Sequence, residues 1–117
     1  MLRLVILNYQ RPENVKKIVF SLWKLFPRIT VINNNPNYSL PYWGGDIDVI
    51  NNNQNYFCME RWIRCFEYPE EFKLIIDDDI LPSPKLVKNM LKSNLPITGI
   101  YGKRGVSTSN RYNDLED

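Results

Sequence analysis

The sequence predicts an α/β protein: a three-layer sandwich with a mostly parallel central sheet between layers of helix. Three observations predict it. β-rich apolar runs alternate along the chain with segments whose apolar residues recur at helical spacing. One run, Leu74-Ile75-Ile76, is apolar without alternation, as in a strand buried on both faces of a parallel sheet. Asparagines or aspartates stand at the carboxyl ends of the runs, the edge where open α/β sheets bind ligands.

Each element follows from its residues. Leu2 to Leu7 is a β-rich run and the expected first strand. Asn8 to Arg11 make a turn, and Pro12 suits a first helical position. Val15, Ile18, Val19, Leu22 and Phe26 repeat at helical spacing until Pro27 stops the helix. Ile29 to Ile32 is the second strand, ending in Asn33, Asn34, Asn35 and Pro36. A loop rich in aromatics, Pro and Gly runs from Tyr38 to Gly45. Ile47 to Ile50 is a short third strand, followed by the asparagine-rich stretch Asn51 to Asn55.

Phe57, Met59, Trp62, Ile63 and Phe66 mark a second helix that would turn this stripe to the core. Glu60 and Arg64 form a surface pair at i,i+4, and Pro69 ends the helix. Phe72 to Ile76 is expected as the central strand. Ser83-Pro84 reads as a cap followed by a first-turn proline. Leu86, Val87, Met90 and Leu91 carry the third helix, and Ile97 to Tyr101 is a last strand. The ordered domain is expected over residues 1–105, with 106–117 as a mobile tail.

Composition narrows the function. A chain of 117 residues allows one domain with a modest core. The net charge of +2 is spread along the chain, with no dense basic run of the kind that binds nucleic acid. No stretch is long enough to span a bilayer. Cys58 and Cys65 would lie ~10 Å apart on one helix, too far for a disulfide. They read as reduced, buried thiols, which suits a cytoplasmic protein. The absence of histidine removes imidazole metal sites and histidine acid–base chemistry.

The acids Asp77, Asp78 and Asp79 follow the central strand directly. Three adjacent carboxylates repel one another unless a positive group joins them. On an extended segment Asp77 and Asp79 converge while Asp78 points away. Two hard oxygens suit Mg²⁺ or Mn²⁺, which take further oxygens from water and phosphate. An asparagine amide both donates and accepts, which suits the edge of a uracil-like base.

The first turn Val5-Ile6-Leu7-Asn8-Tyr9, the strand end Val31-Ile32-Asn33-Asn34-Asn35-Pro36, the stretch Asn51 to Asn55 and the motif Leu74-Ile75-Ile76-Asp77-Asp78-Asp79-Ile80 together resemble nucleotide-sugar glycosyltransferases of the GT-A fold, closest to the exostosin-like branch. The resemblance covers residues 3 to about 105. It implies a Rossmann-like nucleotide-diphospho-sugar transferase fold and transfer of a sugar from a nucleotide diphosphate donor, UDP by preference, to an acceptor. It further implies Asn8 and Arg11 near the nucleotide and Asn33 or Asn34 at the base. One of Asn52, Asn53 and Asn55 would make a second base contact, with Arg61 as a basic neighbour. Asp77 and Asp78 would lie by the ribose, and Asp79, with Asp77 beside it, would hold the metal. A chain this short could complete such a site by homo-oligomerising. For a catalytic base the resemblance assigns no residue; Asp114, Glu116 and Asp117 are candidates by elimination.

Two other readings share these residues. In a phosphohydrolase of the haloacid-dehalogenase type, Asp77 and Asp79 would be the paired acids, although Leu81 stands where that motif carries Thr. An interaction domain, or a nucleotide-sugar binder without transfer, would use the same fold. Tyr38, Tyr42 and Trp43 would then form a contact patch, or else stack on a sugar or pack against the core.

Overall fold

The computed structural model describes residues 2–92. Its elements run β1 (Leu2–Asn8), α1 (Pro12–Leu22), β2 (Arg28–Asn33), β3 (Ile47–Asn51), α2 (Met59–Cys65), β4 (Phe72–Asp77) and α3 (Pro84–Leu91). The strands form one parallel sheet in the order β3-β2-β1-β4. The α/β class therefore stands. The expected strand at 97–101 and the boundary at residue 105 lie outside the described residues.

Local chemistry sets the helix ends. Pro12 opens α1, where its missing N–H costs no hydrogen bond. α1 stops at Leu22, and Trp23–Leu25 tighten into a 3₁₀ turn ahead of Phe26 and Pro27. Phe26 is thus buried from outside the α-helix it was expected to share. At α3 the Ser83 hydroxyl accepts from the Leu86 amide at 3.1 Å, with Pro84 beginning the helix.

Strand alternation divides the sheet into two different faces. Leu4, Ile6, Ile29, Val31 and Ile76 pack on one side against Val15, Ile18, Val19 and Leu22 of α1 and Val87 of α3. The ladders align Leu4 with Ile29, and Ile6 with both Val31 and Ile76. On the other face Val5 and Ile32 are fully buried.

Near the amino ends of the strands, the second face carries an ionic cluster instead of apolar residues. The Arg3 guanidinium donates to both carboxylate oxygens of Glu70 at 2.8 and 2.7 Å. Its Nη1 donates to Thr30 Oγ1 at 2.8 Å and to Asp48 at 3.2 Å, and it stacks 3.9 Å from the centre of the Tyr68 ring. Arg3 and Glu70 are both buried. The hydrogen bond from Arg3 holds the Glu70 carboxyl below the usual glutamate range, outweighing burial, which acts the other way.

Three expectations are corrected. Among the described residues β4 pairs with β1 alone and forms the sheet edge rather than its centre. Only Ile76 of its apolar run is buried, because an apolar run does not specify how many strands flank it. The apolar stripe of α2 does not enter the core: Met59, Trp62, Ile63 and Phe66 are exposed, and Glu60 is the buried residue of the helix. Cys58 is exposed and Cys65 half-buried, so they are free thiols but not core thiols. Tyr38 and Trp43 pack against the core, while Tyr42 is exposed.

Candidate functional site

The chain lays down β1, β2 and β3 in one direction and then returns to place β4 on the far side of β1. Strand order therefore reverses between β1 and β4, where loops diverge and leave a crevice at the carboxyl edge. A cleft of about 260 Å³ opens there. Leu7 forms its floor, Asp77, Asp78 and Asp79 one wall, and Asn34, Asn55, Phe57 and Arg61 line it as well. Asp77 is in register with Leu7 and next to Ile76, so it points to the face opposite the main core. There it forms an ion pair with Arg61 of α2.

The three acids have different partners. Asp77 meets Arg61. Asp78 is buried and holds the β1–α1 loop: its carboxylate accepts from the amides of Tyr9 at 2.9 Å and Gln10 at 3.3 Å, with Arg11 at 3.5 Å. The Asp78 carbonyl accepts from Asn14 Nδ2 at 2.9 Å. Asp79 is half-buried on the cleft wall. Two carboxylates on one wall fit Mg²⁺ or Mn²⁺, because such ions use one or two protein carboxylates and take the rest from phosphate and water. The described residues contain no group of three or more acids, cysteines or histidines arranged to hold a metal alone.

The asparagines separate into two sets. Asn8, Asn33 and Asn51 are neighbours in adjacent strands, and their amides run head to tail. Asn8 Nδ2 donates to Asn33 Oδ1, and Asn33 Nδ2 to Asn51 Oδ1, both at 3.0 Å. Asn51 exchanges two hydrogen bonds with the backbone of Leu40, and Asn33 also donates to the Tyr38 carbonyl. Asn8 and Asn33 are 0% exposed. The structure places both amides in a ladder that anchors the loop after β2, outside the cleft lining, with the Asn8 Oδ1 left without a hydrogen-bond partner.

The second set borders the cleft. Asn34 donates to the Phe57 carbonyl at 3.0 Å and accepts from Asn52 at 2.8 Å. Asn52 also reaches Glu60 at 3.3 Å. Asn55 Oδ1 accepts from the Phe57 amide at 2.8 Å. These bonds hold Phe57 at φ 61°, a left-handed conformation that costs a side-chain-bearing residue about 1–2 kcal/mol. Asn53 accepts from the Tyr56 hydroxyl at the surface and does not line the cleft. Arg11 reaches the site through Asp78.

Sequence reasoning missed Asn14, and it paired Glu60 with Arg64 correctly but placed Glu60 at the surface. Glu60 is buried, joining Asn52 to Arg64, with the Arg64 bond at 2.7 Å. Tyr38 passes its hydroxyl hydrogen to the Tyr9 carbonyl and accepts from Asn8. Asn14 gave the clearest signal, an amide on the apolar face of a predicted helix. Asp114, Glu116 and Asp117 lie outside the described residues. No helix among the described residues is long and apolar enough to cross a membrane. In comparisons with known proteins, no family model and no curated protein matches the chain.

Proposed function

We propose that the protein is a metal-dependent glycosyltransferase that binds a nucleotide diphosphate sugar, UDP-linked by preference, in the cleft between β1 and β4. One observation carries the reading: three consecutive acids line one cleft with Arg61, Asn34 and Asn55 at the reversal point of a parallel sheet. Arg61 contributes a second feature, since its Nε is buried with no hydrogen-bond partner. A buried unpaired donor is costly, and a phosphate oxygen would satisfy it. Asp77 and Asp79 would hold Mn²⁺ or Mg²⁺, which neutralises a diphosphate and stabilises it as a leaving group. Asn34 would read the base edge, with Asn55 beside it; Asn8 and Asn33 would hold the loop that frames them. Asp78 would keep the β1–α1 loop, with Tyr9 on the cleft, in its binding position.

The test is thermal. UDP with Mn²⁺ should raise the melting temperature more than either alone, and more than ADP with Mn²⁺. Equal shifts for UDP and ADP would remove the base assignment. No shift with UDP and Mn²⁺ together would remove the nucleotide-sugar reading. Release of UDP from UDP-sugars then separates transfer or hydrolysis from binding alone.

A further inference from the structure

α2 is turned inside out for a helix at a protein surface. Its charged residues face inward and its apolar stripe faces solvent. The inward side is fixed by named bonds: Arg61 to Asp77, Glu60 to Asn52, and Arg64 to Glu60. The outward side carries Met59, Trp62, Ile63 and Phe66, 59%, 51%, 53% and 91% exposed. At 3- and 4-residue spacing these side chains adjoin one another along one stripe. Phe57, 71% exposed, stands just before the helix at the cleft, on the left-handed backbone that Asn34 and Asn55 hold. The orientation is thus specified by two polar contacts, Arg61 to Asp77 and Glu60 to Asn52. Rotating the helix to bury the stripe would break the bonds to Asp77 and Asn52 and strand Arg61 and Glu60.

We propose that this face is the contact surface of a homodimer, in which α2 of one copy packs against α2 of a second copy across a twofold axis. Two arguments favour a second copy over a different partner. The first is area. With an aromatic side chain offering 150–250 Å², the five exposed residues present roughly 650 Å² of apolar surface. That approaches the ~800 Å² per partner of a standard stable interface, before any rim is counted. It also exceeds the largest apolar patch usual on a monomer, about 300–600 Å². The second is charge. A twofold contact sets each patch against itself, so a charge at the axis would meet its own copy. This stripe contains none: Glu60 and Arg61 are turned inward, and Arg64 is paired with Glu60 and Glu67. Its aromatic and methionine content matches the residues enriched at interface cores. Phe57, Cys58 and Arg61 also line the cleft, so the second copy would stand at the mouth of the cleft.

Sedimentation equilibrium on the full chain, at about 5–200 μM, reads the mass, and hydroxyl-radical footprinting of Met59 and Trp62 reads which surface is covered. The expected result is a species of twice 13.9 kDa whose Met59 and Trp62 become protected as concentration rises. Ile63→Glu and Phe66→Glu should each weaken self-association at least about thirtyfold, the threshold of an interface hot spot. Both should keep the wild-type far-UV circular dichroism. Phe20→Glu, at a 76% exposed position on α1, is the control and should leave the dissociation constant unchanged. A chain that stays monomeric at 200 μM with Met59 and Trp62 accessible overturns the proposal. So does a monomer in which they are protected, which would assign the cover to the chain's own residues 93–117. A dimer indifferent to both α2 variants also overturns it, because another face would then carry the contact.

Discussion

Arg61→Gln should change metal and nucleotide affinity in opposite directions. In the ligand-free protein Arg61 occupies Asp77, so a cation must compete with the guanidinium for that carboxylate. At an effective dielectric constant near 20, two unit charges ~4 Å apart attract by about 4 kcal/mol. Most of this is offset by desolvation and side-chain ordering, and the two side chains are 20% and 40% exposed. The net value is then about 1 kcal/mol, the upper end for exposed pairs. Removing the guanidinium should therefore tighten Mn²⁺ binding to the ligand-free protein about fivefold. In the nucleotide complex the same arginine would serve the diphosphate, and losing a hydrogen bond to a charged group costs about 1.5–3 kcal/mol. UDP affinity with Mn²⁺ present should therefore fall about ten- to hundredfold. Isothermal titration of MnCl₂, and then of UDP, into wild type and Arg61→Gln measures both. Glu60 still ties α2 to Asn52, so the variant should keep its circular dichroism spectrum. If Arg61→Gln binds Mn²⁺ no more tightly, or binds UDP as well as wild type, Arg61 does not connect the acids to a diphosphate and the electrostatic argument for the cleft fails.

Three further outcomes follow from the same geometry. Asp79→Asn should remove most of a metal–nucleotide coupling of about 1–3 kcal/mol, read by titrating UDP with Mn²⁺ and with chelator; full metal dependence in the variant would refute the assignment. Asp78→Ala should lower stability in urea by about 2–4 kcal/mol, because the amides of Tyr9 and Gln10 lose a charged acceptor; a loss under about 0.5 kcal/mol would show that the loop does not depend on it. The depressed Glu70 carboxyl should make stability fall as pH drops below the ordinary value of 4.5 and through the folded-state value, because the unfolded chain binds the proton first. Glu70→Gln should flatten that part of the pH profile in urea unfolding, and an unchanged slope would assign the acid sensitivity elsewhere.

The parts of the fold legible in the sequence are those whose partners are generic. Val15, Ile18 and Leu22 needed only an apolar sheet beneath them, and the 3.6-residue period reveals that. Asparagines and acids at strand ends marked the carboxyl edge, and the cleft lies there. The illegible parts depend on partners distant in sequence. α2 has a clear apolar stripe, but only Asn52 and Asp77 show which side of the helix faces the protein. Asn33 and Asn34 are equivalent in composition, yet strand alternation sends one amide into a closed ladder and the other to the cleft. Arg3, a charge inside an apolar strand, hinted at a buried counter-ion, but Glu70 lies 67 positions away.

The amide ladder of Asn8, Asn33 and Asn51 has a consequence for how the sheet assembles. Apolar strands such as Leu4–Leu7 and Ile29–Ile32 discriminate poorly between alignments, because one branched aliphatic side chain packs much like another. A slip of one residue would turn Asn33 to the opposite face and bring Ile32 or Asn34 beside Asn8. Asn8 and Asn51 would then lose the amide between them, and the Tyr38 carbonyl would lose its donor. Because Asn8 donates to Asn33 and Asn33 in turn donates to Asn51, the three residues act as a key that fits a single alignment, as one buried asparagine does in a coiled coil. The ladder thus fixes β1 against β2 and β3, and β1 is the strand on which Leu7 meets Asp77 of β4.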